Sequence, residues 1–187
     1  MAFILGSGSP RRQELLKLVV PAFTIKTADV DESQFKADTP QQLVERLAQE
    51  KCKTVAGLCT KDDVIIGCDT LVDLNGCVLG KPANKTQARE MITALAGNTH
   101  LVHTGVCIIK AQLCHSFVET SKVTFNPMSA EEIEAYINTE EPYDKAGAYG
   151  IQGFAAKHIG HIEGCYFNIM GLPVARLYTA LKKLGLV

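Results

Sequence analysis

The sequence predicts a mixed α/β fold built on one elongated, twisted sheet flanked by helices. Three observations predict it. Segments of strand-like apolar period alternate with segments of helical period. Two long strand-like runs, 100–110 and 114–124, follow each other closely enough to pair antiparallel, and Asn75-Gly76 between apolar arms is a strong hairpin signal. At 187 residues and 47% apolar content, the chain suits one unit spanning 1–187, with room for two lobes and a cleft between them.

The first element is a short strand at 3–5, followed by a loop at 6–9 and a helix from Pro10 to about Leu18. Ser9 is a favourable N-cap there and Pro10 a favourable first helical residue. A strand near 23–27 leads into the acidic run Asp29-Val30-Asp31-Glu32. A second helix opens at Thr39-Pro40, where Gln42 completes a capping-box pattern, and continues to about Gly57. The apolar strand 64–69 ends on Asp69, and hairpin arms follow at 70–74 and 77–79. A third helix covers about 86–95, before the long strand pair. Ser129 with Glu132 forms a capping box for a helix that stops before Glu140. The glycine-rich stretch 144–153 breaks the pattern, then a strand near 158–163 and a last helix from about Pro173 to Leu184 complete the chain.

Composition narrows the function. A net charge of −1 with both signs dispersed gives no extended basic stripe, and 6% aromatic residues without tryptophan offer little for base stacking, so a nucleic-acid-binding module is not expected. No stretch reaches the roughly 18 apolar residues of a membrane helix, and the start MAFILGSGSP has neither a basic leader nor an apolar segment of signal-peptide length. The seven cysteines include no C-x-x-C pair, and several sit in apolar runs as small hydrophobes; a reducing, cytoplasmic setting is expected.

The most informative local feature is the first helix start. Arg11 and Arg12 stand in its first turn, where the helix dipole disfavours cations. A bound phosphate would offset this, accepting from free backbone N–H groups, the Ser7 and Ser9 hydroxyls and both guanidiniums. A solvated helix end with outward-pointing arginines is the other reading, and the sequence leaves both open. The run 6–11 imitates a dinucleotide fingerprint but carries Arg11 where the third glycine belongs. The run 76–81 imitates a P-loop one residue short, with Pro82 in place of the hydroxyl, although Lys81 remains a candidate phosphate contact.

Asp69 closes a nearly all-apolar strand, so its carboxylate either faces a ligand or is destabilising. With Glu32 it could hold a hard divalent cation or activate a water. Lys51, late in the second helix, is locally undecided. The pairs His100/His103 and His158/His161 fall in strand-like segments, where residues three apart point to opposite faces and cannot share a metal. Cys68 reads as a packing residue, since no local histidine would activate it.

Taken in order, these segments resemble the Maf family of nucleotide pyrophosphatases, related in fold to inosine triphosphate pyrophosphatases. The resemblance rests on 6–12 (GSGSPRR) with Glu14-Leu15-Leu16, Ala28-Asp29-Val30-Asp31-Glu32, Arg46-Leu47-Ala48 with Lys51, Gly67-Cys68-Asp69-Thr70, Gly80-Lys81-Pro82 and His103-Thr104-Gly105-Val106. It is most specific in 144–153 (DKAGAYGIQG), then Ile162-Glu163-Gly164 and 168–173. It implies hydrolysis between the α- and β-phosphates of a nucleoside triphosphate, with Asp69 as proton acceptor and Mg²⁺ or Mn²⁺ on Glu32 and Asp69. Ser7, Ser9, Arg11, Arg12, Lys51 and Lys81 would surround the phosphates. Arg12, Thr70 and Gln152 fall on positions that mark the dTTP and UTP subgroup, modified pyrimidines included, rather than the 7-methyl-GTP subgroup. The resemblance also implies a homodimer, and a link to septum formation leaves a nucleotide-binding regulator of division as the other functional class. Cys52, Cys68 and Phe167 are mild departures from the family pattern.

Overall fold

The computed structural model describes residues 1–27 and 29–187, so Ala28 of the acidic motif lies outside the described residues. The strands are β1 (Phe3–Leu5), β2 (Thr24–Ile25), β3 (Val64–Leu74), β4 (Cys77–Leu79), β5 (Thr99–Lys110), β6 (Leu113–Phe125) and β7 (Ile159–Glu163). The helices are α1 (Pro10–Lys17), α2 (Pro40–Ala56), α3 (Lys85–Leu95), α4 (Ala130–Ile137), α5 (Tyr166–Met170) and α6 (Val174–Lys183). They form the mixed α/β arrangement expected: a seven-stranded sheet of order β2-β1-β3-β5-β6-β7, with β4 paired to the far end of β3. β1 is parallel to β2 and β3, and the other pairs are antiparallel.

β3 runs unbroken through eleven residues, where the sequence suggested a strand ending at Asp69 and a separate hairpin arm from Thr70. Nearly every β3 residue is buried, so apolar content alone could not mark where one packing environment ends and the next begins. At about 3.3–3.4 Å per residue such a strand spans roughly 36 Å, enough to join two cores. At one end Leu5, Val64 and Ile66 pack with Leu16 of α1 and Leu177 and Leu181 of α6. At the other, Val72 packs with Ile92 and Leu95 of α3, Ile133 and Ile137 of α4, and Tyr149. Asp69 and Thr70 fall between them.

α2 lies on the opposite face. Its buried residues Val44, Leu47, Ala48, Cys52 and Val55 follow the helical period, Thr39 accepts a hydrogen bond from the Gln42 N–H, and Pro40 occupies the first turn. The helix approaches the sheet closely because two glycines allow it. A Cβ on Gly67 would lie 2.6 Å from Cys52 Cβ, and one on Gly105 would lie 2.4 Å from the Val44 carbonyl oxygen. The expected capping box at α4 is formed by Ser129 and Glu132 in both directions. Asn75 and Gly76 both have positive φ, as a tight hairpin turn requires. The strand expected near 23–27 is only two residues long, with both side chains exposed. A short helix at Tyr166–Met170, closed by Gly171 at φ 111°, was not anticipated. Among the described residues no helix is long and apolar enough to cross a membrane.

Candidate active site

A cleft of about 1170 Å³ opens between the β3–α1 region and the segment 140–153. Every residue the sequence offered as a substrate, metal or catalytic contact borders it: Ser7, Ser9, Arg11 and Arg12 from the first loop and α1; Glu32; Lys51 of α2; Asp69 and Thr70 of β3; and Lys81 and Gln152 across the opening.

Asp69 and Lys51 form the inner wall. The Lys51 ammonium lies 2.5 Å from Asp69 Oδ1 and 2.6 Å from Glu32 Oε1, bridging the two carboxylates. Burial pushes the Asp69 carboxyl above its ordinary range, while Lys51 and Arg12 pull it back without cancelling the effect. Burial alone would lower the Lys51 ammonium, but Asp69 and Glu32 together outweigh it and hold the lysine charged. Asp69 is thus a carboxylate of raised basicity beside a fixed cation. Its Oδ2 is buried without a hydrogen-bond partner among the described residues.

Those facts bear on a metal. Two carboxylates already converge on one positive charge, and a buried carboxylate oxygen awaits a partner. Among the described residues no group of three or more His, Cys, Asp and Glu side chains could enclose an ion. Glu32 and the unpartnered Asp69 Oδ2 are oxygen ligands of the kind a hard cation such as Mg²⁺ takes when waters and substrate phosphate supply the rest of its shell.

The α1 start differs from the simple picture of a capped helix. Ser9 occupies the N-cap position, but its side chain makes no cap bond, so hydroxyl and first-turn N–H groups remain available for an anion. The arginines part ways. Arg11 is 36% exposed at its side chain and stands 3.9 Å from Asp144 across the cleft. Arg12 turns into the protein: Nε donates to the Gly171 carbonyl oxygen, Nη1 to Ser7 Oγ and the Cys68 carbonyl oxygen, and Nη2 to Thr70 Oγ1. It ties α1, β3 and the end of α5 together. Ser7 Oγ also accepts from the Ser9 N–H at 3.3 Å, which leaves its own proton to donate outward.

The opposite wall contains residues for which the sequence suggested no role. Glu141 Oε1 accepts from the Tyr136 hydroxyl and the Gly150 and Ala155 N–H groups, and Oε2 accepts from the Phe154 N–H at 2.5 Å. One carboxylate thus gathers the loop that carries Gln152. The Lys145 ammonium, at the cleft wall, is held by Asp144 at 2.5 Å and by the Glu141 carbonyl oxygen at 2.8 Å. The only sequence signal for Asp144 and Lys145 was membership in the glycine-rich motif, and Glu141, which precedes it, carried none. His100 and His103 behave as period 2 requires: His100 bonds the Tyr149 hydroxyl on one face, and His103 faces Asp73 and Thr120 on the other, whereas His158 ends a short 3-10 helix just before β7 instead of sharing a strand with His161. Cys68 is fully buried and its thiol is pushed up to about 11, consistent with packing rather than nucleophilic use.

The fold and cleft together define an open-sheet α/β protein with a carboxylate-and-cation site between two cores. Solved structures share that fold: the Ham1 protein of Staphylococcus aureus (TM-score 0.52, 12% identity, covering 98% of this chain and 100% of that one) and a HAM1 protein from Coxiella burnetii (TM-score 0.50, 12% identity, 98% and 100%). The chain belongs to the Maf family, whose model, described as Maf-like protein, matches residues 2–184. It is 46% identical over 187 residues to a protein of Carboxydothermus hydrogenoformans named dTTP/UTP pyrophosphatase, covering 99% of this chain and 100% of that one. It is 43% identical over 183 residues to a protein of the same name from Bacillus cereus strain AH187, covering 98% and 95%.

Proposed function

We propose that the chain hydrolyses a pyrimidine nucleoside triphosphate, dTTP or UTP, between its α- and β-phosphates, giving the nucleoside monophosphate and pyrophosphate. The observation that carries this reading is the Lys51-bridged pair Asp69 and Glu32 lining one cleft together with an uncapped helix N-terminus. The relatives named dTTP/UTP pyrophosphatase supply the substrate. In this reading residues 1–187 act as one unit, with the cleft between two lobes.

Asp69, raised in basicity by burial, takes a proton from a water whose oxygen bonds to the α-phosphorus. The bond from that phosphorus to the bridging oxygen breaks, and its electron pair leaves on pyrophosphate. Ser7, Ser9, Arg11, Lys51 and Lys81 neutralise and orient the triphosphate as charge moves to the leaving group. Arg12 braces this wall while its remaining N–H reaches the ligand. A divalent ion on Glu32 and Asp69 would add charge neutralisation and polarise phosphate oxygens. Free cysteines throughout the chain support a reducing, cytoplasmic setting; the homodimer rests on the family resemblance.

The test is product analysis. The purified chain is incubated with dTTP, UTP, dCTP, GTP and 7-methyl-GTP in ¹⁸O-labelled water with Mg²⁺ or Mn²⁺. The label should appear in the monophosphate, with dTTP and UTP preferred and chelator stopping turnover. Release of inorganic phosphate with a diphosphate product, or full activity in excess chelator, would overturn the reading.

A further inference from the structure

Thr104 of β5 is fully buried, pairs directly with Thr70 in the β3–β5 ladder, and does not border the cleft. Its hydroxyl donates to the Asn168 carbonyl oxygen at 2.9 Å. A carbonyl only accepts, so the single proton of Thr104 is fixed there. Thr70 Oγ1 lies 2.9 Å from Thr104 Oγ1, and with the Thr104 proton already placed, Thr70 must be the donor of that pair. Arg12 Nη2 then donates to Thr70 Oγ1 at 2.9 Å. The chain of bonds has one direction: guanidinium to Thr70, Thr70 to Thr104, Thr104 to carbonyl. Reversing the middle bond would set the Thr104 and Asn168 oxygens against each other with no proton between them, in a site closed to water. Thr70, at the cleft wall, therefore offers a ligand a lone pair and no proton.

We propose that Thr104 is a positioning residue for base selection. By fixing the Thr70 hydroxyl as an acceptor, it favours a pyrimidine whose N3 carries a proton, as in uracil and thymine. This rests on the reading of the cleft as a dTTP/UTP site. N3–H is the one donor on the pairing edge of those bases, so it is the group that can meet Thr70. One N–H of Arg12 Nη2 is left after its bond to Thr70 and suits a flanking carbonyl. Cytosine in the same register sets its N3 lone pair against the Thr70 lone pair, and both stay unpaired.

The experiment measures kcat/KM for dTTP and dCTP in wild type, Thr104→Val and Thr104→Ser, with 3-methylthymidine triphosphate as a third substrate. Valine fills the same space without a hydroxyl, so the Thr70 proton is released and can turn toward cytosine. The dTTP/dCTP ratio should fall about tenfold or more in Thr104→Val. Thr104→Ser should keep the wild-type ratio, and wild type should reject the N3-methyl nucleotide. If Thr104→Val does not fold, Thr104→Ala carries the same readout, and the N3-methyl comparison needs no variant. An unchanged ratio with parallel losses in Thr104→Val, or efficient turnover of the N3-methyl nucleotide, overturns the inference and leaves the proposed function standing. A wild-type chain that releases no pyrophosphate from dTTP removes both.

Discussion

Asp69 stands directly opposite Gly105 in the β3–β5 ladder, and the missing side chain at Gly105 is what lets α2 settle onto the sheet there. The Val44 carbonyl oxygen occupies the space a Cβ would need. That close seat brings Lys51, two turns further along α2, within 2.5 Å of Asp69. Backbone approach on one strand thus fixes an ion pair on its neighbour.

Gly105→Ala is accordingly expected to lift α2, from Val44 through Lys51, off the sheet. Overpacking of this kind costs about 1–3 kcal/mol, and at this chain length each kcal/mol lowers Tm by roughly 2–4 °C. Turnover should fall by more than the loss of folded protein explains, because Lys51 and Asp69 separate. Thermal melts combined with kcat on the folded fraction check this; a stability loss with kcat unchanged would show that the ion pair does not depend on this seat.

Much of this arrangement was legible in the sequence, because local chemistry coincided with the fold. Pro10, Thr39-Pro40, Asn75-Gly76 and Ser129 with Glu132 mark elements whose ends are set by nearby residues. Ser7, Ser9, Arg11, Arg12, Glu32, Asp69 and Lys81 were legible as candidate ligand contacts from residue type and position, whereas Lys51, Thr70 and Gln152 entered only through the family resemblance. What could not be read were effects of distant packing. The continuity of β3 depends on two cores that meet only in three dimensions, and the inward turn of Arg12 depends on Gly171, which is remote in sequence. The role of Glu141 depends on backbone N–H groups at 150, 154 and 155. An exposed-looking glutamate in a turn gives no sign of them.

Asp69→Asn keeps the side-chain shape but cannot take a proton. Turnover of dTTP should fall by roughly 10²- to 10⁴-fold, with nucleotide binding retained. The pH profile supplies an independent mark. Burial raises the Asp69 carboxyl, and a base must be unprotonated, so kcat/KM in the wild type should decline with falling pH at a higher pH than an exposed carboxylate would give. Residual activity of Asp69→Asn should lack that acid limb. A variant with near wild-type turnover, or with the same limb, would assign the proton transfer elsewhere.

His100 gives a separate acid response, in stability rather than turnover. It is 2% exposed, and burial pushes its imidazole down from 6.5 to about 4. Its folded-state value is depressed, so its contribution is complete above about pH 6.5. That contribution is lost progressively toward pH 4, as the unfolded chain takes up a proton that the folded chain refuses. At pH 5 the loss is about 2 kcal/mol. His100→Gln can still bond the Tyr149 hydroxyl but cannot titrate. Urea midpoints at pH 7.5 and pH 5 should therefore differ less in the variant than in wild type; equal differences would remove His100 as the source.

Gln152 tests how the base is read. It is exposed at the cleft rim, on a loop that the Glu141 carboxylate pins through the backbone at 150, 154 and 155. Its amide can donate and accept together, which suits a uracil or thymine edge. A wrong base leaves polar groups unpaired, at about 1–3 kcal/mol for each that is buried in the complex. Gln152→Ala should therefore lower kcat/KM for dTTP and UTP by about tenfold or more while changing CTP and GTP little, so that selectivity flattens but cleavage continues. Glu141→Ala serves as the contrast, since freeing the whole loop from its backbone anchors at 150, 154 and 155 should depress every nucleotide, with the larger change in KM. If Gln152→Ala instead lowers all four nucleotides by the same factor, its side chain only braces the loop. Base selection would then rest with Thr70 and Arg12 alone.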